Sequence, residues 1–175
     1  VDVPGYVALV REGRYSDAVR LIRKDNPFPT ACAYICEHPC ESRCRRNMVD
    51  DGINIRGLKR AAVDRAGNVP QPAPAEPTGK RVLVVGAGPA GLSAAYHLRQ
   101  AGHTVHVVEG AQAGGGMMRY GIPSYRFPRE KLDGEIASIL SLGIEVHTEV
   151  DVGTDITLED LRHQYDALYL CIGAH

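Results

Sequence analysis

The sequence predicts two domains in series, an α + α/β arrangement. A small helical, cysteine-rich domain (1–68) comes first, and a Rossmann-like βαβ domain (81–175) follows. Three stretches predict it. Residues 81–109, RVLVVGAGPAGLSAAYHLRQAGHTVHVVE, join an apolar run to a G-x-G-x-x-G turn, a helical pattern and a second apolar run closed by an acid. Residues 26–44, NPFPTACAYICEHPCESRC, hold four of the chain's 5 cysteines. Residues 67–80, GNVPQPAPAEPTGK, hold four prolines, a stiff extended connector placed at 69–80.

Composition bounds the function. The chain has 175 residues, 44% hydrophobic and 23% charged, as in globular proteins. Residues 1–67 carry 12 Lys/Arg against 9 Asp/Glu, and residues 68–175 carry 8 against 12. With a net charge of −1, no bulk field favours nucleic acid or an anionic membrane. No apolar run approaches the ~20 residues of a membrane span. Residues 1–10 lack the basic start and apolar centre of a signal peptide. The expected location is the cytoplasm.

In the first domain, Pro4 opens a helix that Gly13 breaks. Ser16 is expected to cap a second helix, whose apolar stripe is Ala18, Val19, Leu21 and Ile22. Pro27 and Pro29 end it. Residues 52–66 read as another helix. Ile55, Leu58, Ala62 and Val63 share one face, and Arg56, Lys59, Arg60 and Arg65 form a solvated one.

Between these helices lie Cys32, Cys36, Cys40 and Cys44, each four apart. Disulfides suit secreted chains, and nothing marks this one as secreted. Zinc favours close cysteine pairs set far apart rather than an even ladder. Iron–sulfur clusters take closely spaced thiolates. Spacing alone leaves iron–sulfur, zinc and structural roles open. Cys32 also fits a small buried side chain.

In the second domain, Val82 to Val85 read as a strand buried on both faces. Gly86 permits the tight turn, Gly88 leaves room for a pyrophosphate, and Gly91 lets the helix pack close to the strand. The helix, expected from Gly91 to Ala101, offers its N-terminus to the phosphates. Thr104 to Glu109 form the second strand, where the Glu109 carboxylate can accept from a ribose hydroxyl. A glycine-rich loop, AQAGGGMMRYGIPSYRFP, follows at the strand's carboxyl end, where such sheets bind ligands. Pro128 opens a helix with Leu132, Ile136, Ile139 and Leu140, ended by Gly143. Ile144 to Thr148 form a strand. Thr157 to Asp160 form a capping box. Asp166 to Ile172 read as another buried strand, with Cys171 as a packed core thiol.

Taken together, NPFPTACAYICEHPCESRCRR, VLVVGAGPAGLSAAYHL and GGMMRYGIPSYRFP resemble the small (beta) subunit family of NADPH-dependent glutamate synthase. They are equally similar to the N-terminal part of dihydropyrimidine dehydrogenase and to the large subunit of NADH-dependent ferredoxin:NADP oxidoreductase. The resemblance covers essentially the whole chain. It implies a helical iron–sulfur domain with two [4Fe-4S] clusters, then a flavoprotein of the disulfide-reductase type. It implies FAD as hydride acceptor from NAD(P)H, and electrons leaving singly to a partner subunit, glutamate synthase large-subunit-like or another redox protein. Carried over by position, Cys36 and Cys40 serve one cluster and Cys44 the other. Cys32 is a further candidate ligand at a position with no established role. Gly86, Gly88, Pro89, Ala90, Gly91 and Glu109 match the FAD fingerprint. Gly116 and Arg119 border the flavin, as does Gly173.

Three departures temper the resemblance. The family's remaining cluster cysteines would precede Val1. Its NAD(P)H half would follow His175, so the chain is expected to be a piece of a longer protein. A glutamine ligand of dihydropyrimidine dehydrogenase aligns with Lys59, whose ammonium has no lone pair to offer iron. A single cluster on Cys32, Cys36, Cys40 and Cys44 would need one helical face, which Pro39 interrupts. The expected function is an FAD and iron–sulfur oxidoreductase. The alternative is a non-catalytic docking or electron-relay module, with NAD(H) itself in the glycine loop as a third reading. No side chain is expected to act as a catalytic acid or base; His38 and His97 read as ordinary residues.

Overall fold

The computed structural model describes residues 1–173. It divides into two compact units, Val1–Pro70 and Gln71–His175. The first is helical: α1 (Val3–Arg11), α2 (Tyr15–Arg23), α3 (Pro29–Ile35), α4 (Pro39–Ser42), a 3-10 turn at Arg45–Met48, and α5 (Ile55–Arg65). Tyr6, Val10, Ala18, Val19, Ile22, Ile55, Ala62 and Val69 form its core. Full burial of an aliphatic side chain contributes about 1.5–3 kcal/mol, so this handful of residues holds the unit together. The Tyr6 hydroxyl donates to the Ile55 carbonyl at 3.2 Å inside it.

Caps differ from expectation here. Asp2, not anticipated, caps α1 by accepting from Gly5 N at 2.9 Å. Ser16 does not cap α2, which begins one residue earlier with no side-chain cap. Its hydroxyl donates instead to the Ala66 carbonyl at 3.0 Å, a long-range contact invisible to local pattern. Pro29 opens α3 rather than merely ending α2, because proline's missing N–H costs nothing in a first turn. The basic face of α5 is not simply solvated. Arg56 donates to the Cys36 carbonyl at 3.0 Å, and Lys59 to the Cys32 sulfur at 3.3 Å.

The second unit is a four-stranded parallel sheet in the order β3-β2-β1-β4. Its elements are β1 (Arg81–Val85), α6 (Pro89–Gln100), β2 (Thr104–Glu109), α7 (Met117–Tyr120), α8 (Arg129–Leu140), β3 (Glu145–Thr148), α9 (Leu158–Gln164) and β4 (Ala167–Leu170). The central strand β1 is buried along Val82–Val85, as a strand covered on both faces must be. Thr157 caps α9 by accepting from Asp160 N at 3.1 Å.

The proline-rich segment is tied into this unit. Ala75 N donates to the Gln100 carbonyl at 2.9 Å, and Thr78 N to the Gly102 carbonyl at 3.0 Å. One expectation fails outright. The strand at 166–172 is not buried: Tyr169 and Leu170 are 51% and 56% exposed, and Cys171 is only partly covered. Among the described residues β4 is an edge strand, paired with β1 alone, so its apolar run lacks a second neighbour there. Among the described residues no helix is long and apolar enough to cross a membrane.

Candidate functional site

The chain runs β1, β2, β3 in one direction and then returns to place β4 on the far side of β1. A reversal of this kind opens a crevice at the carboxyl ends of the strands, the place where open α/β sheets hold ligands. A cleft of about 720 Å³ lies there. Of the sequence-predicted residues, Gly86, Gly88, Pro89, Ala90, Glu109, Gly116 and Gly173 line it. Its wall also includes Ala111, Met117, Tyr120, Asp151 and Ile172. Ala111, Met117 and Tyr120 belong to the glycine-rich loop expected at this strand end, whereas no local motif announces Asp151 or Ile172, which the crossovers deliver.

The glycines there have separable physical reasons. Gly86 has φ +103, and a Cβ would lie 2.2 Å from the Cys171 carbonyl oxygen. At Gly91 a Cβ would lie 1.8 Å from the Gly86 carbonyl oxygen, so α6 can sit this close only on glycine. Gly88 is different. Its φ is −74, and a Cβ would meet nothing nearer than the Gly116 Cα at 3.9 Å. The protein's own packing does not require glycine at 88; the free space opens on the cleft. Across from it, Gly116 has φ +47, and its Cβ would press to 2.9 Å from the Gly88 Cα.

Gly88 is the N-cap of the 12-residue α6 and gives no side-chain cap. The first N–H groups of α6, Pro89 excepted, therefore keep their capacity for an anion. Glu109 is fixed by two backbone donors: Ala87 N reaches one carboxylate oxygen at 2.7 Å and Ala111 N the other at 2.9 Å. Each oxygen keeps a further lone pair for a hydroxyl. Arg119 does not line the cleft. It donates to the Gly114 carbonyl at 2.6 Å and pairs with Asp133 of α8, bracing the glycine-rich loop from behind.

In the first unit, the four ladder cysteines occupy four different backbone settings. Cys32 is inside α3, and Cys36 ends it in extended conformation. Cys40 lies in α4, after His38 in the left-handed region (φ 44). Cys44 is extended again, ahead of the 3-10 turn. Pro39 thus breaks the single helical face, as expected. The buried Tyr6 phenol feels the ladder. Its pKa is raised first by burial, then by the proximity of Cys40, Cys32, Glu41 and Cys36.

Burial pushes the Cys32 thiol up, and the Lys59 ammonium opposes it. The Cys36 sulfur accepts from His38 N at 3.4 Å. Glu41 anchors the turn by accepting from Arg56 N at 2.7 Å. Among the described residues no three of these sulfurs lie within 4.8 Å of one another, the spacing that would close on a single ion.

Residues 1–69 match the sequence family described as dihydropyrimidine dehydrogenase domain II, 4Fe-4S cluster. Residues 80–175 match the family described as pyridine nucleotide-disulphide oxidoreductase. The NADPH-Fe(3+) oxidoreductase subunit beta of Geobacter sulfurreducens is 41% identical over all of this chain and 27% of its own length. The glutamate synthase [NADPH] small chain of Bacillus subtilis is 37% identical over 98% of this chain and 36% of its own length. The chain therefore spans only about a third of these curated relatives. A solved structure of FprA from Mycobacterium tuberculosis shares the fold, with a TM-score of 0.50 at 21% identity over 54% of this chain and 23% of that one.

The family matches indicate a 4Fe-4S cluster for the first unit and FAD for the second. The closely spaced ladder thiols and the cleft space left free at Gly88 fit such groups. With more than half of its length matched, and a parallel sheet that reverses at β1, the chain belongs to the pyridine nucleotide-disulphide oxidoreductase family.

Proposed function

We propose that this chain is part of an FAD- and iron–sulfur-dependent oxidoreductase that moves electrons from NAD(P)H to an acceptor on a partner subunit, in the cytoplasm. One observation carries the reading: Gly88 is a glycine for which the chain's own packing has no use, facing a cleft at a helix N-terminus. The cleft residues bind and orient. Gly86, Gly88 and the first turn of α6 cradle a pyrophosphate. Glu109, already held by two N–H groups, accepts from the adenosine ribose and repels a 2′-phosphate. Gly116 and Gly173 keep the isoalloxazine side open.

In the first unit Cys36, Cys40 and Cys44 supply thiolates, and Cys32 stays with Lys59. The family resemblance assigns Cys36 and Cys40 to one cluster and Cys44 to another. A bound flavin would supply hydride acceptance and bound clusters single-electron transfer; the protein's part is position and electrostatics.

Anaerobically purified holoprotein is expected to show flavin absorption bands and a broad iron–sulfur shoulder. Loss of both would overturn the reading. FAD titration separates its parts: stoichiometric FAD without cluster absorption retains the nucleotide site only, and retention of NAD in place of FAD moves the site to a different dinucleotide.

A further inference from the structure

Among the described residues, away from the cleft and from the cysteines, one group of side chains has metal-ligating chemistry. His106 lies on β2, and Glu145 and His147 on the edge strand β3. The parallel register places His106 opposite Glu145 and Val108 opposite His147. Side chains alternate along strands, so Glu145 and His147 share a face, and the register brings His106 beside them. One ligand atom from each lies within 4.8 Å of the other two. Both Nε2 atoms face the same carboxylate oxygen of Glu145, at 3.9 Å from His106 and 4.0 Å from His147.

His106 is held for this role. Its side chain is 19% exposed, and its Nδ1 lies 3.0 Å from the Tyr165 hydroxyl. The Tyr165 ring meets it edge-on at 5.6 Å. A hydrogen bond from Nδ1–H to the phenol oxygen leaves the lone pair on Nε2, facing Glu145. Metal-ligating histidines commonly have such an outer partner.

We propose that His106, Glu145 and His147 form a binding site for a borderline divalent transition-metal ion of the zinc class. Two imidazoles and a carboxylate suit such an ion, and three protein ligands leave a fourth position for water. Metal–ligand bonds of about 2.0–2.1 Å set ligand atoms about 3.3 Å apart. The observed spacings close to this by small rotations of Glu145 and His147, which are 67% and 55% exposed. The bound ion clips the start of edge strand β3 to β2. The site is independent of the flavin and cluster reading, since none of its residues takes part there.

The test is zinc uptake by the holoprotein in equilibrium dialysis, read by metal analysis, with wild type and His147→Ala side by side. Thiol-bound zinc is common to both and cancels. Wild type is expected to bind one Zn²⁺ more per chain, or to bind that ion at least tenfold more tightly. Zinc should raise the melting temperature of wild type more than that of the variant, and without zinc the two should melt alike, since His147 lies on an exposed strand. Tyr165→Phe should retain the ion with roughly tenfold lower affinity, and His163→Ala, an exposed control on α9, should change nothing. Equal zinc content and equal melting shifts in wild type and His147→Ala would overturn the proposal.

Discussion

The two units prepare their sites in opposite ways. In the nucleotide unit the geometry is made of backbone: Gly86 and Gly91 are locked against carbonyls, and Glu109 is held by two N–H groups. That site is shaped before any ligand arrives. In the cysteine unit the backbone is broken into a seven-residue helix, a four-residue helix and a 3-10 turn. There side chains of α5 hold the ladder, Arg56 at the Cys36 carbonyl and Lys59 at the Cys32 sulfur. Close packing needs no cofactor, whereas short segments with exposed polar turns gain order from one.

The sharpest way to break this contrast is within the glycines. Gly91→Ala drives a Cβ against backbone and should destabilise the nucleotide unit by about 4 kcal/mol or more. Gly88→Ala has the room and an ordinary φ, and should cost at most about 1 kcal/mol. It should still weaken FAD binding at least tenfold. Urea melts and FAD titrations of the two variants measure the split; equal stability loss would show that both glycines serve packing.

In the cysteine unit, Cys40→Ser is expected to abolish at least one cluster's absorption, whereas Cys32→Ala leaves it, because the Cys32 sulfur already has an ammonium partner. Iron content per chain reads the difference.

Tyr6→Phe removes a buried hydroxyl and leaves the Ile55 carbonyl without that donor, for a loss of about 1 kcal/mol in a denaturant melt.

The smallest effect belongs to Asp166, which accepts from Lys80 Nζ at 2.8 Å and Arg81 N at 2.9 Å. The Arg81 N–H, then Lys80, hold its carboxyl below the ordinary value. Its contribution is therefore present above the usual carboxylate range and lost as pH falls through and below it. Asp166→Asn should flatten the stability profile only on that acid side, seen in thermal melts from pH 6 downward.

Much was readable locally. β2 spans its expected residues, α8 follows Pro128, and Thr157 caps α9, because each rests on period, capping or turn chemistry within a few residues. What was misread depends on distant partners. Ser16 resembled a cap until Ala66 came within reach. The base-rich face of α5 resembled a solvent face until the ladder folded over Arg56 and Lys59. The apolar run at 166–172 resembled a buried strand, but burial depends on cover over the sheet faces, and among the described residues β4 is an edge strand with Tyr169 and Leu170 exposed.

The amino-acid sequence by itself determined the motifs: a glycine turn between strand and helix, an acid at the end of the next strand, and thiols at four-residue spacing. Those are properties of neighbours along the chain, set by backbone freedom and side-chain period. Only the tertiary structure decided which residues meet across the fold. It opened the cleft by returning β4 to β1, tied Arg119 to the Gly114 carbonyl and Asp133, and set His106 beside Glu145 and His147. Strand order and register make these contacts, and both follow from how whole elements pack.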